Sequence, residues 1–158
     1  MKNTLIIDRN ALQQQVNLRN HYMGEAIKRN DLNADILQSN AEDEDLFLMF
    51  LREACNELLS TVAQRFESVT YEIGSEYIQI TFESSEQLRP HLMTLLKQSI
   101  IDYLVNELVL QWLLLRRPDA ASSYISLRSA LFQNVQQQLA KLCNTKKIRR
   151  RSTDLAGI

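Results

Sequence analysis

Glycine and proline are nearly absent from this chain, at three and two residues in 158. Turns and strands draw on both more heavily than helices do, so the shortage points to long helices. Cysteine is just as scarce. A secreted disulfide framework needs more than the two thiols present, and zinc needs His or Cys at ligand spacing. Cys55 and Cys143 both fall in apolar, helix-patterned stretches and read as buried free thiols. The only histidines, His21 and His91, have no patterned partner and read as surface or boundary residues. General acid–base chemistry needs a positioned partner and a tuned pKa, and neither is visible. No nucleophile elbow, phosphate-binding loop, dinucleotide fingerprint or zinc-protease motif occurs. The expectation is therefore a protein that is not an enzyme and carries no cofactor or metal.

Long apolar runs are missing as well. Leu5-Ile6-Ile7 is too short for a signal-peptide core. The most apolar stretch, Ile100 to Leu115, is broken by Asp102, Asn106, Glu107 and Gln111, and it is shorter than the roughly 20 residues a bilayer requires. No membrane span is expected, and the location expected is cytoplasmic or within a virion.

What is present is an ordinary globular composition, 45% apolar and 23% charged, in a length that suits one domain. The net charge of -1 hides an asymmetry. From Lys141 onwards six cationic residues face a single carboxylate, Asp154, so the body is mildly acidic and the C-terminus basic.

Asp8 is placed to cap a first helix over about Arg9 to Arg29, with Leu12, Val16, Met23 and Ile27 on one face. Asn30 to Asn40 reads as a connector. The run Glu42-Asp43-Glu44-Asp45 precedes Leu46 to Leu51; consecutive carboxylates suit a helix N-terminus and lack the alternation and glycine of a calcium loop. This second helix should reach about Phe66 through Phe47, Phe50, Leu51, Ala54, Leu58 and Val62. The period then changes to two: Val69, Tyr71 and Ile73, then Ile78, Ile80 and Phe82, with Gly74-Ser75 between them, predict a β-hairpin over about 69–83. A lone hairpin is marginal in water, so this one must pack on helices or pair with another chain.

Ser84 or Ser85 is placed to cap a third helix, with Pro90 in its first turn and Arg116-Arg117-Pro118 ending it. A fourth helix is expected from about Asp119 to Asn144, on Tyr124, Leu127, Leu131, Val135, Leu139 and Leu142. Residues 145–158 lack periodicity and read as a flexible basic tail. The fold class is thus mainly α: one domain over 1–144, four helices with a hairpin between the second and third, and the tail.

Two sets of residues are candidates for contact. Lys146, Lys147, Arg149, Arg150 and Arg151 suit a solvated tail, an acidic protein surface or the phosphates of a nucleic acid; no interleaved aromatics suggest base stacking. Leu110, Leu113 and Leu114 fall off the main stripe of the third helix, and Tyr77 and Ile78 lie on the hairpin; these five are the expected interaction surface, with homo-oligomerisation the expected use.

Two helices, a hairpin from Val69 to Phe82, two further helices and a basic tail together resemble the head–tail connector or adaptor proteins of tailed bacteriophages and prophages. The resemblance covers about residues 9–144 and lies in element order. It implies a ring-forming structural protein that binds itself and another structural protein, with the hairpin or tail reaching a neighbouring subunit. It further implies that the Arg-rich tail lies beside a DNA channel and that the acidic body lines it. The alternative function is a nucleic-acid-associated accessory protein acting through the tail.

Overall fold

The computed structural model describes residues 1–28, 43–85 and 88–155, and the side chains of all of these except 24–28 and 143–155. The chain is mainly helical, with four helices and a small antiparallel sheet. Strand β1 (Lys2–Asp8) leads directly into helix α1 (Arg9–Lys28). Helix α2 (Glu44–Val62) ends in a 3-10 turn, and the hairpin β2 (Ser68–Ile73) and β3 (Tyr77–Glu83) follows. Helix α3 (Pro90–Arg116) and helix α4 (Ser122–Leu155) complete the order. The connector read at Asn30 to Asn40, and Glu42, lie outside the described residues.

The predicted hairpin is present, but it belongs to a three-stranded sheet in the order β1-β3-β2. β1 alternates without a fault: Asn3, Leu5 and Ile7 are buried, and Lys2, Thr4, Ile6 and Asp8 are exposed. That alternation is hard to read from the residues because Leu5, Ile6 and Ile7 are adjacent and all apolar. Across the sheet, Asn3, Phe82 and Val69 form one inward row, Leu5, Ile80 and Tyr71 a second, and Ile7, Ile78 and Ile73 a third. A polar residue on that inward face needs partners. Asn3 Nδ2 donates to Ser84 Oγ at 3.0 Å, and its Oδ1 accepts the Leu88 N–H at 3.0 Å, so β1 holds the segment leading into α3.

Asp8 does cap α1, its Oδ1 accepting the Ala11 N–H at 2.9 Å. Next to it, Arg9 is buried and reaches across the fold. Its Nη1 donates to the Gly74 carbonyl at 2.9 Å, and its Nη2 lies 3.4 Å from Glu44 Oε1. One side chain thereby ties the strand–helix junction to the hairpin turn and to the start of α2. The expected cap at Ser84 or Ser85 is not formed: α3 begins at Pro90 with Arg89 extended before it, and Ser84 bonds to β1 instead. Proline occupies the first turn as expected, where a missing N–H leaves nothing unsatisfied.

α3 is the centre of the molecule. Every residue from Tyr103 to Leu110 is buried, so this stretch is enclosed on all sides and not along one stripe. α2 supplies Phe47, Phe50, Leu51, Ala54, Leu58 and Val62 against it, and Trp112 meets Phe50 edge-on at 5.6 Å. The start of α2 is fastened to the end of α3 by Arg116, which donates to both oxygens of Asp43 at 3.0 Å and lies 4.6 Å over the Trp112 ring. α4 is largely exposed along its described side chains, with Val135, Leu139 and Leu142 its fully buried apolar residues. It extends to Leu155 and not to Asn144 as its apolar stripe suggested. The stripe stops there, but Lys, Arg and Thr without glycine or proline sustain helical backbone.

Cys55 sits in the core, a free thiol as expected, and burial pushes it up to about 12 from 9.0. The unfolded thiol ionises near 9.0 while the folded one stays protonated, so the unfolded state binds fewer protons in that window and stability falls as pH rises. Between pH 9 and 12 the Cys55→Ala protein should lose stability less steeply than the parent in urea titrations. Parallel slopes would show that the thiol is not shielded.

Candidate interaction surfaces

Besides the Asn3–Ser84 pair, buried polar groups gather among the described residues where α2, α3 and α4 meet, and this follows from the enclosure of α3. Asn106 and Glu107 fall in the fully buried stretch, and desolvated polar groups require partners. Asn106 Nδ2 donates to the Tyr124 carbonyl at 3.2 Å. Glu107 Oε1 accepts from Gln111 Nε2 at 3.0 Å, and its Oε2 lies 2.9 Å from Arg128 Nε. That contact is an ion pair by distance, but its N–H is not aimed along the line to the oxygen. Arg128 also donates from Nη2 to Glu57 Oε2 at 2.6 Å. One guanidinium on α4 thus serves a carboxylate on α3 and another on α2.

The Tyr103 phenol completes the group. Burial, then the charges of Glu107 and Glu57, push its pKa far up, against the lowering influence of Arg128. Burial works against the Arg128 charge, but Glu107, Glu57 and Tyr103 more than offset it and hold that pKa above its ordinary value. A shallow hollow of about 220 Å³ opens here, lined by Glu57, Tyr103, Arg128, Ser129 and Phe132. The phenol keeps its proton and the guanidinium never loses one, and both carboxylates of the cluster are paired to that guanidinium. The cluster is a brace that orients α4 on the core.

The histidines are apart from it. His21 and His91 are both exposed, and neither lines this hollow. Among the described residues, no three His, Cys, Asp or Glu side chains converge as metal ligands would, and no helix is long and apolar enough to cross a membrane.

The five expected contact residues divide. Leu110, Leu113 and Ile78 are core residues and are not available to a partner. Leu110 and Leu113 left the main stripe because α3 is covered on every side, and Ile78 faces inward with Ile7 and Ile73 as its neighbours. Leu114 and Tyr77 are exposed, as the expectation requires. Leu115 beside Leu114 is exposed too. Tyr77 is joined by Ile6 in a hollow of about 450 Å³ that Asp8, Asn10, Glu76 and Lys97 also line. Ile6 and Lys97 were not singled out from the sequence. The signal for Ile6 was its even-numbered position in β1, opposite in phase to Leu5 and Ile7.

Among the described residues, β1 and β2 are the two edge strands of the sheet. The basic residues Lys146, Lys147, Arg149, Arg150 and Arg151 lie on the helical backbone of α4, and their side chains are outside the described residues. Comparison with protein-family models, curated proteins and solved structures finds no match to this chain.

Arg128→Ala would leave Glu107 desolvated without its cation. Breaking a fully buried pair costs about 3–5 kcal/mol; with the Arg128 side chain 37% exposed, about 2–3 kcal/mol is expected in urea unfolding. A loss below about 0.5 kcal/mol, in the range of an exposed pair, would show that the brace does not hold α4.

Proposed function

We propose that this chain is a non-enzymatic assembly protein acting by protein–protein contact, with further copies of itself and another structural protein as partners. The observation that carries this reading is apolar surface left over once the core is complete. The chain's own elements enclose α3, yet Ile6, Met49, Tyr77, Leu114 and Leu115 remain between 41% and 57% exposed. Apolar side chains and unpaired strand edges on the outside of a closed core mark surfaces that an assembly covers. The element order supports the narrower role of a phage- or prophage-type head–tail connector that assembles into a ring. β1 adds to that order at its start and leaves the succession of helices and hairpin unchanged. Static light scattering over a concentration series is expected to give a mass above that of one 18.3 kDa chain, with rings visible in negatively stained fields. A single-chain mass at every concentration overturns the reading.

A second reading, a nucleic-acid-associated accessory protein, draws on the end of α4. α3 and α4 run antiparallel, with Asn106 against Tyr124, Glu107 against Arg128 and Tyr103 against Phe132. Carried along the pair, Pro90 comes abreast of about residues 140–145, which leaves on the order of 15 Å of α4 beyond the start of α3 at 1.5 Å per residue. That overhang holds Lys146 to Arg151. Duplex DNA should bind with an affinity that falls steeply with salt. In fluorescence anisotropy a chain ending at residue 144 should lose at least about tenfold at low salt, the effect of removing several phosphate contacts. Undiminished binding by the shortened chain removes these residues from the account.

A further inference from the structure

We propose that the open edge of β2 is a self-association surface, on which β2 of a second copy pairs antiparallel about a two-fold axis and extends the sheet across both molecules. This rests on the reading that the chain assembles with copies of itself, and it assigns the surface.

The hairpin ladder identifies which backbone groups are free. Gly74 N–H bonds the Tyr77 carbonyl at 2.9 Å, and antiparallel pairs alternate between bonded and unbonded positions. Ser68, Thr70 and Glu72 therefore turn their backbone groups towards β3, and Val69, Tyr71 and Ile73 turn theirs outward. No backbone bond to another described element meets those outward groups.

The two edges of the sheet are not equivalent. Along β1 the inward residues Asn3, Leu5 and Ile7 are at most 9% exposed. β1 carries Lys2 at its start and Asp8 at its end, and Lys97 of α3 lines the same hollow as Ile6 and Asp8, so charge accompanies that strand. β2 has no lysine and no proline, and its register with β3 over Ser68–Ile73 is uninterrupted; Glu72 on the outer face is its single charge. Its inward residues Val69, Tyr71 and Ile73 are only half-buried. A strand laid beside them would continue the three inward rows.

β2 is complementary to itself in one register. With Tyr71 opposite Tyr71 of the second copy, Val69 falls opposite Ile73, and every outward-facing residue joins a pair that exchanges two hydrogen bonds. On the outer face Glu72 then lies opposite Thr70. A shift of two residues one way sets Glu72 against Glu72, which like-charge repulsion disfavours; a shift the other way leaves Ile73 beyond the end of its partner strand.

Short strands alone fall well below the roughly 1,200 Å² of a stable interface, so the helix layer must contribute. α2 is placed to do so. Asn56 accepts a hydrogen bond from the Tyr71 hydroxyl at 2.7 Å, and Met49, Arg52 and Asn56 recur at helical spacing on the exposed side of α2. A two-fold axis at Tyr71 brings the two copies of α2 side by side and antiparallel. Met49, now 47% exposed, is then covered, and Arg52 of one copy meets the exposed Glu53 of the other.

The test uses the full chain. Tyr71→Pro removes an N–H that points away from β3, and Ile73→Lys places a charge among the inward-facing side chains of the edge strand. Each should weaken self-association at least about tenfold in sedimentation equilibrium while the circular dichroism spectrum stays that of the parent; because both side chains pack inward, the melting temperature falls and binding is compared below the onset of unfolding. The register has its own readout. In a Cys143→Ser background, Tyr71→Cys should form a disulfide-linked dimer on mild oxidation, since directly opposed residues about 5.5 Å apart suit the bond; Thr70→Cys should link at least about tenfold more slowly. If Tyr71→Pro unfolds, the cysteine pair decides alone. An oligomer that ignores both edge substitutions and gives no Tyr71→Cys link overturns the β2 surface and leaves self-assembly standing. A monomer at all concentrations overturns both.

Discussion

Enclosure of α3 between Tyr103 and Leu110 is the constraint on which the other contacts depend. A helix covered on every side must carry its polar residues into the interior with it, and Asn106 and Glu107 are carried there. Their requirements place α4. The Tyr124 carbonyl takes the Asn106 amide, and Arg128 answers Glu107 while reaching Glu57 on α2. The fully buried apolar residues of α4, Val135, Leu139 and Leu142, all follow Arg128 along the helix. The polar contacts at Tyr124 and Arg128 precede them, beside the partly buried Leu131 and Phe132, and together with that packing they fix the register of α4 along α3.

The sheet answers a different need. Three short strands with an apolar inner face gain stability from the helices they cover, and their junctions are held by polar residues placed on inward positions. Asn3 secures the segment before α3, and Arg9 joins the hairpin turn to α2. The outer face keeps Thr4, Thr81 and Thr70 in one row across the strands, with Ile6 and Tyr77 near one end. The consequence for function is an asymmetry. Inward residues of β1 at one edge of the sheet are buried, and at the other edge, among the described residues, no strand pairs with the outer side of β2, whose inward apolar side chains are half-buried.

Much of this was legible in the residues. Asp8 marked a helix start, Pro90 and Arg116 bracketed α3, and the change to a period of two located the hairpin. The misses have physical causes. Three adjacent apolar residues in β1 concealed a strict alternation, because Ile6 is exposed in spite of its chemistry. A one-sided stripe was the natural expectation for α3, and Leu110 and Leu113 looked surplus to it until burial on all sides absorbed them. Ile78 was grouped with Tyr77, although neighbours on a strand face opposite ways. Of the expected contact residues, Tyr77 and Leu114 kept an exposed position. The unpaired edge of β2 has no sequence signature, since whether an alternating strand is central or peripheral depends on what lies beside it.

The residue pattern by itself determined the kind and succession of the elements from α1 onwards, because periodicity, caps and breakers act within a few residues of one another. It also determined where positive charge accumulates, which is a matter of composition. Tertiary structure alone decided that β1 joins the hairpin, that β3 is the central strand, and that Glu107 is sheltered by Arg128. Each of these depends on residues far apart in the chain meeting in space, and their free energy comes from desolvation that no local pattern records.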